Sequence, residues 1–335
     1  MLKVLELFSG IGACSKALDN LGIEHEIVDA VEIDKFAIKS FNAIHGTDFE
    51  SQDITTWDKD IECDLIMHGS PCQDFSRAGK QAGGDKGSGT RSSLMYETLR
   101  IVGKLKPTCV IWENVKNLLS EKHRHNFDAY ILAMDGLGYK NFYSVVNAKD
   151  CGVPQNRERV ITISVLKDSD ITVYPLSFIK LRKTLKSVLE KKVPEKYYLT
   201  DKQLANIDVD EILEKDSSME KKSKPIRVGG LYDKPGDKFS RHQAGSIYST
   251  KGIAGTLDTM CGGNREPIIV DKGRIRKLTP KECWRLMGFD DDSFKKAQKI
   301  NSNSQLYKQA GNSIVVPVLE TILRSIYAQG RDTVQ

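Results

Sequence analysis

The first third of the chain alternates short apolar runs with segments whose apolar residues recur at helical spacing. Residues 2–7 and 27–33 predict strands, and the segments 13–21 and 34–44 that follow them predict helices. Strands that alternate with helices are typical of a doubly wound, mostly parallel α/β sheet, which is the fold class we predict. The later parts of the pattern are strand-like runs at 64–67, 109–112, 143–146 and 160–165, with a helical segment near 127–137.

The pattern changes about halfway along the chain. Residues 180–224 are rich in Lys and Glu and predict helices. Residues 229–267 are rich in Gly, Ser and Thr, which indicates a second, smaller, loop-rich domain. Helical periodicity returns at 278–287, where Thr279-Pro280 supplies an N-cap and a first helical residue, and again at 314–326.

Composition narrows the class of protein. The 335 residues are 39% hydrophobic and 28% charged, which excludes collagen, a disordered chain and a disulfide-stapled peptide. No apolar stretch approaches the roughly 20 residues that a membrane span needs, and Lys3 places a charge too early for a signal peptide. The seven cysteines are never closer than nine positions, so they predict neither a zinc pair nor a disulfide framework. We expect a cytoplasmic monomer with free thiols, no membrane partner and no metal.

The positive charge is concentrated in the middle of the chain. The net charge is +5, and residues 180–251 contain 17 Lys and Arg against 11 Asp and Glu. A local basic surplus favours a polyanionic partner, although a solvated helical face produces the same pattern.

The predicted strand ends carry residues suited to a nucleoside. The loop 8–12 (Phe-Ser-Gly-Ile-Gly) follows the first strand, where glycines let the backbone approach a ligand. A dinucleotide fingerprint would need a third glycine at Ser15, so an NAD or FAD oxidoreductase is disfavoured. Glu32 ends the second strand, where a carboxylate can accept both ribose hydroxyls, although Glu32 and Asp34 also fit a helix N-terminus. Asp53 occupies the next strand-like position and completes a nucleoside-sized crevice.

A second group of residues suggests covalent chemistry. Cys72 lies in a polar loop after the 64–67 run and is a candidate nucleophile, although a loop cysteine can also be inert. Glu113 ends the next strand at the same sheet edge. Arg157 and Arg159 are two residues apart, so on an extended segment they share one face. Taken singly, the acid and the arginines are explained equally well by a solvated strand end and by surface ion pairs.

Six blocks together resemble, in order and spacing, the conserved blocks of the DNA (cytosine-5)-methyltransferase family. The resemblance covers nearly the whole chain except about 167–253, and its Pro-Cys, Glu-Asn-Val and Gln-x-Arg-x-Arg elements are highly specific in combination. The blocks are 8–12, 69–76, 113–115, 155–160, 276–289 and 311–317.

The resemblance implies an S-adenosylmethionine cofactor. By that likeness Glu32 accepts the ribose, Ile33 packs on the adenine and Asp53 accepts the adenine amino group. Because one block lies at the far end of the chain, we expect a catalytic domain of residues 1–167 plus 311–335 and a target-recognition domain of 168–310. The implied cofactor residues are Phe8, Gly10, Gly12, Glu32, Ile33, Asp53, Ile54, Pro71, Asn312 and Ser313.

The resemblance also implies the chemistry. Cys72 is similar to the family's nucleophile, which adds to carbon 6 of cytosine, and Glu113 to the acid that donates to ring nitrogen 3. Arg159 resembles the residue that holds the ring carbonyl, with Arg157 in support. A cytosine inside a duplex is out of reach, so the base must be flipped out, and the Gly-rich segment 79–89 suits a loop that closes over it.

The region outside the matching blocks is the natural place for DNA recognition. We expect its Gly-rich loops to read duplex DNA while neighbouring lysines bind phosphates, although the glycines could simply turn a small β domain. Relatives with the same blocks act on tRNA but lack so large a basic domain, and a non-catalytic DNA-binding regulator would not need Cys72. The expected recognition residues are Thr256, Leu257, Gly262, Gly263, Asn264 and Arg265.

Overall fold

The structure is a computed structural model, and it describes residues 1–71, 90–233, 244–260 and 265–327. The chain divides into two compact units. The first unit comprises Met1–Asn147, Glu158–Phe178 and Val316–Gln335, and the second comprises Ala148–Arg157 and Ile179–Val315. The proposed roles of 1–167 plus 311–335 and of 168–310 are functional assignments and stay predictions.

Two sheets account for the strands of the described residues. The first unit contains β1 to β6 in the order β2-β1-β3-β4-β6-β5, and the second contains β7 to β10 in the order β10-β9-β8-β7. The strands are β1 Leu2–Leu7, β2 His25–Val31, β3 Leu65–His68, β4 Cys109–Val115, β5 Tyr139–Asn147, β6 Glu158–Leu166, β7 Arg227–Gly230, β8 Ser246–Ser249, β9 Ile268–Asp271 and β10 Arg274–Lys277.

The helices of the described residues complete both units. α1 to α4 and α10 belong to the first unit, and α5 to α9 belong to the second. Their bounds are α1 Ala13–Leu21, α2 Lys35–His45, α3 Met95–Leu105, α4 Arg124–Gly136, α5 Asp201–Leu204, α6 Val209–Ser218, α7 Pro280–Leu286, α8 Asp291–Gln298, α9 Asn303–Asn312 and α10 Val316–Tyr327.

The sheet of the first unit is parallel except where β6 is inserted. β2, β1, β3 and β4 pair in parallel, so their carboxyl ends lie at one edge of the sheet. β6 runs antiparallel to both β4 and β5, which brings the start of β6 to the end of β4. The predicted doubly wound, mostly parallel α/β fold is confirmed.

The core of the first unit is built on the apolar runs that predict the strands. Trp112 of β4 is 1% exposed and contacts Tyr130 of α4, with 4.0 Å between the ring centroids. Phe127 also stacks on the indole, with its ring centroid 6.0 Å away. An aromatic cluster of this kind buries a large apolar area under β3 and β4 and fixes the strand ends that carry the candidate site.

The second unit has a smaller core under its four strands. Ile247 of β8 and Ile268 of β9 are fully buried in it. α7 begins with the predicted N-cap, since Thr279 and Glu282 form a reciprocal capping box with Pro280 at the first turn. The helical prediction for residues 180–224 is wrong over most of its length, because only α5 and α6 are α-helical there.

Candidate active site

The loop after β1 is closed towards α2 and open at its centre. Phe8 has a φ of 53° and Gly12 a φ of 80°, both in the left-handed region. A Cβ added at Gly12 would lie 2.2 Å from Nε2 of His45, so the close approach of α2 requires glycine there. A Cβ added at Gly10 would meet no atom within 4 Å. The loop therefore leaves space for a ligand beside Gly10.

Glu32 ties this loop to the end of β2. Its carboxylate accepts the backbone N–H of Gly10 at 2.9 Å and that of Asp34 at 2.8 Å. Asp34 accepts the N–H of Phe36 at 2.9 Å, so the helix N-terminus interpretation is right for Asp34. Between the two acids, Ile33 is 70% exposed, which leaves an apolar side chain for a flat ligand to pack on.

Asp53 lies in a turn beside the end of β2 and not in a strand. The expected strand at 52–54 is wrong, because Oδ1 of Asp53 accepts the N–H and the hydroxyl of Thr55 at 2.9 and 2.8 Å and forms a turn. The N–H of Gln52 donates to the carbonyl of Glu32 at 2.9 Å, which holds the turn beside β2. Oδ2 of Asp53 has no hydrogen-bond partner among the described residues. Three predicted cofactor residues, Gly10, Glu32 and Asp53, are thus brought together.

Cys72 lies outside the described residues, but the backbone that leads to it is held by β4. Ser70 is 3% exposed and accepts Nε1–H of Trp112 at its hydroxyl, at 3.0 Å. Nδ2 of Asn114 lies 3.4 Å from the carbonyl oxygen of Ser70. Since Trp112 and Asn114 flank Glu113, one strand carries the candidate acid and anchors the entry to the candidate nucleophile loop. In the sequence, the only signal of this anchor is the pair of donors on either side of Glu113.

The described cysteines are poor alternatives to Cys72 as nucleophiles. All five are buried. Burial raises the pKa of Cys63 and of Cys109 to about 12, and it also raises those of Cys14 and Cys283 well above the ordinary value of a thiol. A thiol with so high a pKa contains almost no thiolate at neutral pH.

Glu113 and Arg159 form an ion pair at the carboxyl edge of the sheet. Nε of Arg159 lies 2.8 Å from Oε1 of Glu113, and the side chains are 15% and 11% exposed. The register explains the contact, because Arg159 pairs with Val115 across β4 and β6, two positions beyond Glu113. The arrangement presents a carboxyl group and a guanidinium side by side, with limited access to water.

Arg157 lies just before β6, which begins at Glu158, whereas Arg159 lies within that strand. The two guanidinium groups therefore have different partners. Within the second unit, Nη1 of Arg157 donates to the carbonyl of Leu257 at 2.9 Å. Nη2 donates to the carbonyls of Gly311 and Ser313 at 3.2 and 3.1 Å. Arg157 is 4% exposed, so one buried guanidinium joins the backbone at Leu257 to that of the predicted block 311–317.

Gly311 adds a second contact between the 257–259 segment and the block 311–317. A Cβ added there would lie 1.8 Å from the carbonyl oxygen of Asp258, so α9 meets the 258–259 backbone too closely for any side chain. Ser313 is buried and Asn312 exposed at the end of α9.

Of the expected recognition residues, Thr256 and Arg265 are exposed and Leu257 is buried. The hydroxyl of Thr256 donates to the carbonyl of Asn156 at 2.8 Å. Arg265 forms no ion pair with any residue that the structure describes. Gly262, Gly263 and Asn264 lie outside the described residues, as does the segment 79–89.

Two further searches cover only the described part of the chain. No helix there is long and apolar enough to cross a membrane. No cluster of three or more His, Cys, Asp or Glu in that part could hold a metal ion.

Comparison with known proteins identifies the family. Residues 2–328 match the model of the C-5 cytosine-specific DNA methylases. The type II methyltransferase M2.ScrFI of Lactococcus lactis subsp. cremoris is 33% identical, over 98% of this chain and 99% of that protein. The type II methyltransferase M.HhaI of Haemophilus parahaemolyticus is 34% identical, over 97% of this chain and 94% of that protein.

A solved structure agrees at the level of the fold. The crystal structure of the S. pombe Dnmt2 methyltransferase superposes with a TM-score of 0.67 over 97% of both chains, at 18% identity. The family expected from the six sequence blocks is confirmed by the match across the chain and by the two type II relatives. The protein is therefore a DNA methyltransferase and belongs to the C-5 cytosine-specific DNA methylase family.

Proposed function

We propose that the protein transfers a methyl group from S-adenosylmethionine to carbon 5 of a cytosine in a specific duplex DNA sequence. The observation that carries the proposal is the Glu113–Arg159 pair, 2.8 Å apart at the sheet edge. Ring nitrogen 3 and the carbonyl oxygen of cytosine are neighbours on one edge of the base, so an acid beside a guanidinium matches that edge.

The reaction proceeds through a covalent adduct. The thiolate of Cys72 adds to carbon 6 of the flipped-out cytosine, which breaks the aromaticity and makes carbon 5 an enamine carbon. A protonated Glu113 hydrogen-bonds nitrogen 3 and stabilises the charge that builds there, while Arg159 holds the carbonyl oxygen. Carbon 5 then takes the methyl group, and the electron pair of the broken S–C bond stays on the sulfur of the donor. A base removes the carbon-5 proton, and the electron pair of that C–H bond expels the thiolate.

The residues around the glycine loop fit the cofactor. The free space at Gly10, the carboxylate of Glu32, the exposed face of Ile33 and the unpaired Oδ2 of Asp53 suit a nucleoside. Bound there, S-adenosylmethionine supplies an activated methyl group on sulfur. We assign Glu32 to the ribose and Asp53 to the adenine amino group. Phe8, Gly12, Ile54, Pro71, Asn312 and Ser313 complete the proposed set.

We assign recognition of duplex DNA to the second unit. Thr256 and Arg265 are exposed, and an arginine that reaches a guanine edge contributes about 1–3 kcal/mol of discrimination. Leu257 is buried, so its part is to hold Thr256 in place. The proposed recognition set also includes Gly262, Gly263 and Asn264, which lie between Leu257 and Arg265 in the sequence. Exposed cations such as Lys183 and Lys186 suit contacts to phosphates, which hold any sequence alike.

The test is a mechanism-based trap. A duplex with 5-fluorocytosine at the target position cannot lose a proton from carbon 5, so wild-type protein with cofactor should remain covalently attached. Cys72→Ser should bind the cofactor, form no adduct and lose methyl transfer by orders of magnitude. Cys63→Ser is the matched control, because its thiol is buried with a pKa of about 12 and it should trap DNA like wild type. An adduct on Cys72→Ser, seen by mass spectrometry, would refute the mechanism.

A further inference from the structure

The turn that carries Asp53 is held by a buried carboxylate on the neighbouring strand. Asp29 of β2 is fully buried. Its Oδ1 accepts Nε2–H of Gln52 at 2.8 Å and the N–H of Ala30 at 2.9 Å. Its Oδ2 accepts Nε1–H of Trp57 at 2.8 Å and lies 2.8 Å from Nζ of Lys59. Donors before and after Asp53 therefore converge on one side chain.

These contacts account for the solvation of a charge that has no access to water. A buried carboxylate persists only if hydrogen bonds replace its hydration, and Asp29 has four donors. Although burial opposes ionisation, the bonds from Lys59, Trp57 and Gln52 lower the pKa of Asp29. An uncharged amide at this position can keep an acceptor for Gln52 but leaves the donors of Trp57 and Lys59 without one.

The other side of the turn is fixed by α3. Nη2 of Arg100 donates to the carbonyl of Ile54 at 3.0 Å and to that of Trp57 at 2.8 Å. Ile54 and Trp57 are 5% and 3% exposed, so their side chains are held in the core. Asp53 is exposed between anchored residues, and Thr55 fixes one of its oxygens.

We propose that Asp29 is a positioning residue that selects for the amino group of the purine, by holding the 52–57 turn so that the unpaired Oδ2 of Asp53 accepts it. The inference rests on the proposed cofactor site. It assigns the selectivity for adenine to a buried side chain that does not touch the ligand. Asp29 acts through Gln52 and Trp57, and its loss should change which purine is preferred more than it changes overall binding.

The experiment compares two product analogues by calorimetry. S-adenosylhomocysteine carries the purine amino group, and S-inosylhomocysteine has a carbonyl oxygen in its place. Asp29→Asn keeps the shape of the side chain but turns a donor towards Trp57 and Lys59. We expect the dissociation constant of S-adenosylhomocysteine to rise about tenfold, the size of one lost hydrogen bond, and that of S-inosylhomocysteine to change less than about twofold.

Two further variants keep the result interpretable. Asp60→Asn removes the same charge from an exposed site in the same segment and should leave both constants unchanged. Trp57→Phe removes the indole N–H from Asp29 and leaves a smaller aromatic ring in the core, so it tests the same contact if Asp29→Asn fails to fold. We expect it to reduce the preference for S-adenosylhomocysteine in the same direction, by about threefold, as for a weaker neutral bond.

The outcomes separate this inference from the proposed function. Wild type that binds neither analogue would overturn the cofactor site and this inference with it. Wild type that prefers S-adenosylhomocysteine, together with an Asp29→Asn variant that keeps the full preference, would overturn only the role of Asp29. Equal weakening of both analogues would also overturn it, because a merely structural residue has that effect. Loss of preference in Asp29→Asn and Trp57→Phe, but not in Asp60→Asn, would support it.

Discussion

Glu6→Gln tests a buried acid at the base of the cofactor loop. Glu6 lies on β1, is 2% exposed, and accepts the N–H of Ser15 at 3.0 Å as well as its hydroxyl hydrogen bond. Burial raises the pKa of Glu6 from 4.5 to about 7, although the bonds from Ser15 favour the charged form. The folded protein therefore binds more protons than the unfolded chain between these pH values.

The sign and size of the effect follow from proton linkage. Because the folded-state pKa is raised, the stabilisation is fully present below pH 4.5 and is lost as the pH rises through 7. Between pH 5.5 and pH 8 wild type should lose about 2 kcal/mol of its free energy of unfolding from this one group. Glutamine cannot titrate and keeps a carbonyl for Ser15, so Glu6→Gln should lack that loss.

Urea denaturation at a series of pH values measures the difference. The free energy of unfolding of wild type minus that of Glu6→Gln should fall by about 2 kcal/mol from pH 5.5 to pH 8. Glu24→Gln makes the same charge change at an exposed residue and should follow wild type throughout. Parallel curves for wild type and Glu6→Gln would refute the raised pKa and the desolvation argument behind it.

Three other substitutions address the site itself. Glu32→Ala should weaken S-adenosylmethionine binding by about 1.5–3 kcal/mol in calorimetry, the scale of bonds to a charged group, with DNA affinity little changed. Glu113→Gln keeps a donor but cannot deliver a proton, so single-turnover methyl transfer should slow by about 10²–10⁴-fold while duplex binding survives, and a fully active variant would contradict the acid role. Arg157→Lys replaces two separate donor nitrogens by a single ammonium that lacks the planar fork, so urea denaturation should show a loss of about 1–3 kcal/mol, and unchanged stability would contradict its bridging role.

The sequence predicts those elements whose signals are local. The strand at 2–7 is an apolar run next to a glycine loop, and β1 spans the same residues. Thr279 and Pro280 predict the start of α7, because an N-cap is a hydrogen bond between residues close together in the sequence. Glu32 can be placed at a strand end by counting from Gly10, and it lies there. Each of these features is decided within a few residues or by a fixed spacing.

The features that the sequence hides depend on distant partners. Asp29 interrupts an apolar strand pattern. Its structural role depends on Gln52 and Trp57, which follow 23 and 28 residues later in the sequence. Asp53 forms a turn because its side chain competes with strand pairing for the N–H of Thr55. The segment 180–224 contains good helix formers, yet much of it runs without helix, because composition without an apolar stripe gives a helix nothing to bury.

The contact at Gly311 limits which segments of this protein can be exchanged for those of a relative. The carbonyl of Asp258 lies too close to Gly311 for any side chain there. Arg157 donates a hydrogen bond to the neighbouring carbonyl of Leu257. A segment taken from a relative would fit only if its backbone passed Gly311 and Arg157 along the same path. Grafts that begin after residue 259 leave this contact unchanged, whereas grafts that include 256–259 must bring a matched α9 with them, because Gly311 lies on α9. Under the proposed role of the second unit in DNA recognition, an exchange of specificity should therefore begin after residue 259 and leave Thr256-Leu257 in place.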